Sequence, residues 1–171
     1  MRISNKKATI ILSIIVITSL ILLLLSTESK KEIKKFYNTF GIGLSKKTKI
    51  IYNKSVFGAL GDGEGLIIYE VSPKDMQEII EEDSIMDWLR LPISKKTSDK
   101  LHEKVGLDSE EIKEYLNLDR KEGFYAVVDR LDSSNTKLNI RENLDFFKFQ
   151  NFTLGIIDIK ENKIYLYKYN Q

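Results

Sequence analysis

The chain of 171 residues carries 27 Lys and Arg against 25 Asp and Glu, with one histidine and no cysteine. The lack of cysteine excludes a disulfide framework, thiol catalysis and a lipid-modified cysteine, and a single histidine excludes a two-histidine metal site. No complete set of catalytic residues is present in the sequence, so we expect neither a cofactor nor a bound metal.

The N-terminal part is dominated by Ala8–Leu25, an unbroken run of 18 residues without a charge. A helix of that length extends about 27 Å, close to the hydrocarbon thickness of a bilayer. No small-x-small cleavage site follows the run, so an uncleaved anchor is favoured over a cleaved signal peptide. The sequence therefore predicts a cytoplasmic tail at residues 1–7 and one transmembrane helix in the lipid bilayer at residues 8–25. The short basic tail favours a single-pass cell-membrane protein whose C-terminal domain is extracytoplasmic.

Charge divides the rest of the chain into two parts. Residues 28–54 contain eight Lys against two Glu, whereas residues 55–171 contain 16 Lys and Arg against 23 Asp and Glu. Polyanion binding needs positive charge on the folded surface, so the acidic part predicts no nucleic-acid binding. The basic part predicts a juxtamembrane stalk at residues 26–48, either solvated or touching anionic headgroups. Residues 49–171 are sufficient for one globular domain.

Alternating β-branched and aromatic residues predict five strands in this domain, at residues 49–56, 66–71, 123–130, 152–159 and 163–169. Ser72 and Pro73 give the capping pattern of a helix, residues 95–105 predict a second, and Asp108 with Glu111 gives the capping box of a third. The predicted fold class is therefore α+β. We expect a mostly antiparallel sheet of about five strands with two or three helices inserted between strands two and three, preceded by the transmembrane helix.

The last predicted strand carries Tyr165, Tyr167 and Tyr169 on one face, because successive residues of a strand alternate between its two sides. Aromatic stripes of this kind occur at recognition surfaces. More often such a stripe packs under a helix, and this is the favoured interpretation.

The most unusual stretch of the domain is the glycine loop, FGALGDGEG at residues 57–65. A P-loop needs Lys followed by Ser or Thr where this chain has Glu64 and Gly65, and a dinucleotide fingerprint needs a third glycine ahead of a helix. A structural hairpin or bulge is therefore favoured, with a ligand or partner site as the alternative. The candidate binding residues are those of the loop together with two charged residues at the end of the third strand: Gly58, Gly61, Asp62, Gly63, Glu64, Asp129 and Arg130.

Acidic residues also suggest an enzyme as an alternative. An envelope hydrolase or metal-assisted enzyme would use Asp62, Glu64 and Asp129, because paired carboxylates perform general acid–base chemistry. Such groups must lie within hydrogen-bond reach, directly or through water, so a separation above about 10 Å contradicts this hypothesis. We assign no catalytic residue, and we expect His102 to be exposed on a helix among Lys and Glu.

Four segments carry a resemblance to a known group of proteins: VFGALGDGE at residues 56–64, Trp88 with the Leu-Pro of residues 91–92, GFY at 123–125 followed by Asp-Arg at 129–130, and NFTL at 151–154. They are similar to an uncharacterised family of small membrane proteins and lipoproteins of Gram-positive bacteria with a His-Gly-Gly-Phe-His-Gly-Asp-Gly-type loop. Val56 and Leu60 stand where the histidines of that loop lie. The resemblance implies no activity, and the missing histidines favour a structural loop or binding surface over catalysis.

The leading functional hypothesis is a membrane-anchored, non-catalytic domain that binds an unidentified protein or small ligand at the bacterial cell surface. The hydrolase hypothesis is the first alternative. The second is an immunity or stress membrane protein that acts through the apolar run and the basic stalk.

Overall fold

The computed structural model describes the backbone of residues 5–130 and 150–171, and the side chains in these ranges other than those of residues 5–9, 21–29 and 84. Helices α1 to α4 comprise Asn5–Phe40, Pro73–Glu81, Lys95–His102 and Glu110–Tyr115, and a 3-10 turn covers Asp83–Ile85. Strands β1 to β6 comprise Lys49–Phe57, Gly63–Glu70, Leu89–Arg90, Gly123–Asp129, Phe152–Asp158 and Lys163–Asn170.

Helix α1 runs for 36 residues and passes from the apolar run into the charged segment that follows it. The hydrogen bonds of a helix are local, so a change in hydropathy along the sequence does not end the helix. Among the residues that the structure describes, no helix combines the length and the apolar character that a membrane crossing requires. The predicted transmembrane helix at residues 8–25, and the single-pass membrane protein inferred from it, are therefore wrong. The first part of the predicted stalk at residues 26–48 belongs to α1, which ends at Phe40.

The chain divides into two compact units, residues 1–35 and residues 36–171. The first unit holds the larger part of α1. The second unit contains the end of α1 together with the sheet and the remaining helices, so it begins before residue 49, where the sequence predicted the domain to start.

The sheet has the strand order β1-β2-β6-β5-β4-β3, and every neighbouring pair is antiparallel. The predicted α+β class and antiparallel sheet are confirmed, with six strands instead of about five. The additional strand β3 has two residues, which pair with Tyr125 and Phe124 of β4. A two-residue strand is too short to show alternation in the sequence. Helix α2 lies between β2 and β3 along the chain, and α3 and α4 lie between β3 and β4.

One face of the sheet packs against α3 and α4. The three tyrosines of β6 belong to the same buried cluster as Leu101 of α3 and Ile112 of α4. The tyrosine stripe therefore packs under helices, as favoured from the sequence.

The opposite face of the sheet is covered by aromatic side chains. The rings of Phe40 and Trp88 lie 4.9 Å apart, and a Cβ atom on Gly155 of β5 would come within 2.8 Å of both. The ring of Phe36 packs edge-on against Tyr69 of β2 at 5.7 Å. Because both faces are covered, β5 is buried along its whole length and β2 is buried up to its last residue, Glu70.

The helix caps follow the sequence closely. Ser72 caps α2 as predicted, since its hydroxyl accepts a hydrogen bond from the Asp75 N–H at 3.1 Å. Helix α4 is capped by Ser109, whose hydroxyl accepts from the Ile112 N–H, and not by Asp108 as predicted. Asp108 instead donates its N–H to a carboxylate of the glycine loop.

Candidate functional site

The glycine loop forms the connection between β1 and β2. The Gly58 N–H donates to the carbonyl of Asp62 at 2.7 Å, and the Gly61 N–H donates to the carbonyl of Gly58 at 3.0 Å. Gly61 has a φ of +85°, a conformation that costs glycine little and other residues much more. The backbone of the loop is thus a structural hairpin, the interpretation that the sequence favoured.

Gly63 is required where β2 begins. Its φ is +131°, and a Cβ atom at this position would lie 2.0 Å from the carbonyl oxygen of Val56 on the opposite strand. The two strands can approach this closely only because residue 63 has no side chain. The role of Gly63 is therefore structural.

Glu64 points into the protein and its side chain is fully buried. One carboxylate oxygen accepts hydrogen bonds from the Gly106 N–H at 2.9 Å and the Tyr167 hydroxyl at 2.8 Å. The other oxygen accepts from the Asp108 N–H at 3.1 Å. A buried carboxylate is tolerated only when it is hydrogen-bonded in this way. Glu64 therefore ties β2 to the connection between α3 and α4 and is not available to a ligand.

The Tyr167 hydroxyl completes this buried group and also lies 3.1 Å from the carbonyl of Lys104. Burial, followed by the hydrogen bond to Glu64, raises the pKa of Tyr167 well above its usual value. The phenol therefore stays protonated and acts as a donor. Its position between two acceptors is structural.

The register of the sheet separates Glu64 from Asp129. Glu64 lies opposite Tyr169, Tyr169 opposite Phe152, and Phe152 opposite Asp129. Three strand spacings place the two Cα atoms about 14 Å apart. This Cα separation is above about 10 Å and does not favour the hydrolase hypothesis, which stays a prediction.

Three of the predicted site residues do come together, in a cavity at one end of the sheet that we call the sheet-end cavity. Its volume is about 490 Å³, and its walls are formed by the hairpin tip and by the ends of β4, β5 and β6. The lining residues are Leu60, Gly61, Asp62, Arg130, Asn151, Asn170 and Gln171.

Arg130 is held in the wall of the cavity by the end of β6. Its Nη2 donates to the carbonyl of Tyr169 at 2.8 Å and also to the side-chain carbonyl of Asn170. The amide nitrogen of Asn170 in turn donates to the carbonyl of Gly61 at 2.7 Å. One asparagine side chain thus fixes the guanidinium relative to the hairpin tip.

Among the described residues that line the cavity, Arg130 and Asp62 carry the charged side chains. Partial burial lowers the pKa of Arg130, and the charge of Asp129 opposes this shift, but an arginine remains charged at any physiological pH. Asp129 itself is not one of the residues that line the cavity. Within the described part of the chain, no salt bridge joins Arg130 to Asp62, although both line the same cavity.

Asn151 and Asn170 complete the polar wall of the cavity and were not among the predicted site residues. The backbone N–H of Gln171 donates to the side chain of Asn151 at 3.0 Å. Each asparagine lies next to the end of a strand, where asparagine is common for reasons of turn geometry alone. Composition therefore gave no signal, and only the order of the strands brings the two asparagines beside Asp62 and Arg130.

The acidic residue of β5 is engaged elsewhere. Asp158 forms a buried ion pair with Arg120 at 2.9 Å and accepts the Glu161 N–H at 3.0 Å. Over the residues that the structure describes, no group of three or more His, Asp and Glu is placed to hold a metal ion.

Comparison with known proteins does not place this chain in a family. No protein-family model, curated protein or solved structure matches it. The resemblance to membrane proteins and lipoproteins of Gram-positive bacteria therefore stays a prediction.

Proposed function

We propose that residues 36–171 form a binding domain that holds a small polar ligand in the sheet-end cavity without transforming it chemically. The observation that carries this proposal is the presence of Asp62 and Arg130 in one cavity without an ion pair between them. Opposite charges that share a cavity and do not neutralise each other leave both groups available to a third molecule. The volume of about 490 Å³ is in the range of cavities that bind small molecules.

Binding is favoured over catalysis by what the lining residues offer. Among the described residues that line the cavity, Asp62 is the only one with an acidic side chain, and none is a serine, threonine, histidine or lysine. Nucleophilic catalysis requires a nucleophile and a base in hydrogen-bond contact. The buried acids Glu64 and Asp158 are already fixed by donors of the protein itself.

Amide chemical shifts of the isotope-labelled 171-residue chain test this proposal. We expect at least one compound of a panel of amino acids, dicarboxylates, sugars, nucleosides and inorganic phosphate to shift the amides of Gly61, Asp62 and Asn170 in a saturable way. The compound should be recovered unchanged after prolonged incubation. The variant Arg130→Met should abolish the shifts. The control variant Arg90→Met should retain them, because the Arg90 side chain lies over the Phe124 ring and does not line the cavity.

Two results would contradict the proposal. In the first, no compound of the panel shifts the amides of the cavity. In the second, the protein converts the bound compound into a product, which would make the cavity an active site.

A further inference from the structure

We infer that the ligand of the sheet-end cavity is a zwitterion that carries a carboxylate and an ammonium group, as in a free α-amino acid or a dipeptide. This inference rests on the proposed function and specifies its ligand. Arg130 would receive the carboxylate, and Asp62 would receive the ammonium group. The surroundings of Arg130 support the first assignment, and the surroundings of Asp62 support the second.

The guanidinium of Arg130 is held in a fixed orientation, and only part of its hydrogen-bonding capacity is used by the described residues. Both of its described hydrogen bonds leave from Nη2, towards Tyr169 and Asn170. Among the described residues, Nε and Nη1 have no hydrogen-bond partner, and these two nitrogens lie along different edges of the planar group. An arginine whose plane is fixed in this way can bind a carboxylate through a single charge-assisted hydrogen bond from Nε or from Nη1.

The carboxylate of Asp62 is positioned by its own loop. Its Oδ1 atom lies 2.8 Å from the place that a Cβ atom would take on Gly58, so a side chain at residue 58 would displace it. The missing side chain at Gly58 therefore makes room for the carboxylate. This accounts for two of the predicted site residues together, since one provides the charge and the other provides the space.

The balance of charge selects the class of ligand. The described lining residues carry one positive and one negative side chain, so the charges of these side chains balance. A phosphate bound at Arg130 would face the Asp62 carboxylate, and a diamine bound at Asp62 would face the guanidinium. A zwitterion satisfies both groups at once. Leu60 and the amide of Asn151 remain for the side chain of the ligand.

Calorimetric titration of the 171-residue chain with the twenty L-amino acids and with glycylglycine tests the inference. We expect saturable binding of at least one of these compounds. Its N-acetyl derivative, which lacks the ammonium charge, and its α-amide, which lacks the carboxylate, should each bind about tenfold to a hundredfold more weakly, because each loses one charge-assisted contact.

Two variants test which charged group of the ligand contacts Asp62 and which contacts Arg130. Asp62→Asn should weaken the zwitterion at least about tenfold and leave the N-acetyl derivative unchanged, while Arg130→Met should weaken the zwitterion and leave the α-amide unchanged. Asp62 is on the exposed hairpin tip, so its replacement does not threaten folding. The exposed residues Asp119 and Arg90 provide the matched controls, as Asp119→Asn and Arg90→Met.

The outcomes separate this inference from the proposed function. If a compound of the wider panel binds in the cavity while none of the amino acids or glycylglycine does, or if Asp62→Asn binds the zwitterion as tightly as the wild type does, the zwitterion is refuted and the binding domain stands. If neither these compounds nor the wider panel bind in the cavity, both ideas are refuted. The reciprocal pattern of the two variants supports both.

Discussion

The hydroxyl of Tyr167 donates a hydrogen bond of 2.8 Å to the carboxylate of Glu64, although the two residues are 103 positions apart in the sequence. They lie on neighbouring strands, β2 and β6, on the face that α3 and α4 cover. The same carboxylate accepts the N–H groups of Gly106 and Asp108. One buried side chain thus joins the glycine loop, the last strand and the connection between two helices.

Replacement of Glu64 by alanine should lower the free energy of unfolding by about 3 kcal/mol, because three buried donors lose their acceptor. Urea unfolding of the 171-residue chain measures this change. Glu64→Gln should fall between alanine and wild type, since its amide keeps one acceptor but directs an N–H towards Asp108. The control Glu78→Ala removes an exposed glutamate of α2 and should change stability by less than about 0.5 kcal/mol. Equal effects of Glu64→Ala and Glu78→Ala would show that the buried network contributes nothing.

Alkaline pH should weaken the fold from about pH 10 upward. Burial, and then the charge and hydrogen bond of Glu111, raise the pKa of Tyr52 to about 12, and burial with Glu64 raises the pKa of Tyr167 further. The unfolded chain releases these protons near pH 10, whereas the folded chain retains them. The stabilisation is therefore complete below pH 10 and is lost as the pH rises through the folded-state values.

Urea midpoints measured between pH 8 and pH 12 check this dependence on pH. The urea midpoint should fall less steeply with pH in Tyr52→Phe, because this variant lacks one of the two phenol protons that the folded chain retains. Tyr37→Phe, which changes an exposed side chain, should keep the wild-type slope. A midpoint that stays constant up to pH 12 in the wild type would contradict the prediction.

Alanine at position 63 should cost at least about 2 kcal/mol, because a positive φ disfavours every side chain and the added Cβ would meet a carbonyl oxygen. Thermal and urea unfolding measure the loss. Gly43→Ala is the matched control, since its φ is not positive and nothing lies within 4 Å of an added Cβ. There the expected change is small or slightly stabilising, because alanine restricts the unfolded chain. Similar losses of stability in Gly63→Ala and Gly43→Ala would contradict the specific requirement for glycine at position 63.

Alternation and turn residues were enough to predict the five longer strands. The largest error is at the start of β2, which begins at Gly63 and not at residue 66. Gly63, Glu64 and Gly65 have low strand propensity, and they extend the strand only because β1 and β6 pair on either side. Contacts that distant in sequence leave no local pattern. The end of the apolar run at residue 25 likewise does not mark the end of α1, which continues to Phe40.

The candidate site was only partly accessible to sequence reasoning. Asp62 and Arg130 were both candidates, but their common cavity depends on the order of four strands, which the sequence did not provide. Glu64 was grouped with them because it is an acid in a glycine loop. The alternation of strand residues places it on the core face, where its charge meets three donors.

Disruption of the ion pair between Arg120 and Asp158 should destabilise the protein by about 3 kcal/mol, because removal of one partner leaves the other charge buried. The two side chains are only 10% and 7% exposed, and the guanidinium carbon lies 3.9 Å from the centre of the Tyr165 ring. Arg120→Met, followed by urea unfolding, measures the effect. The control Lys49→Met breaks an exposed pair with Glu70 and should cost no more than about 0.5 kcal/mol. Equal costs would mean that water reaches the Arg120 pair as freely as it reaches the Lys49 pair, and that burial does not strengthen it.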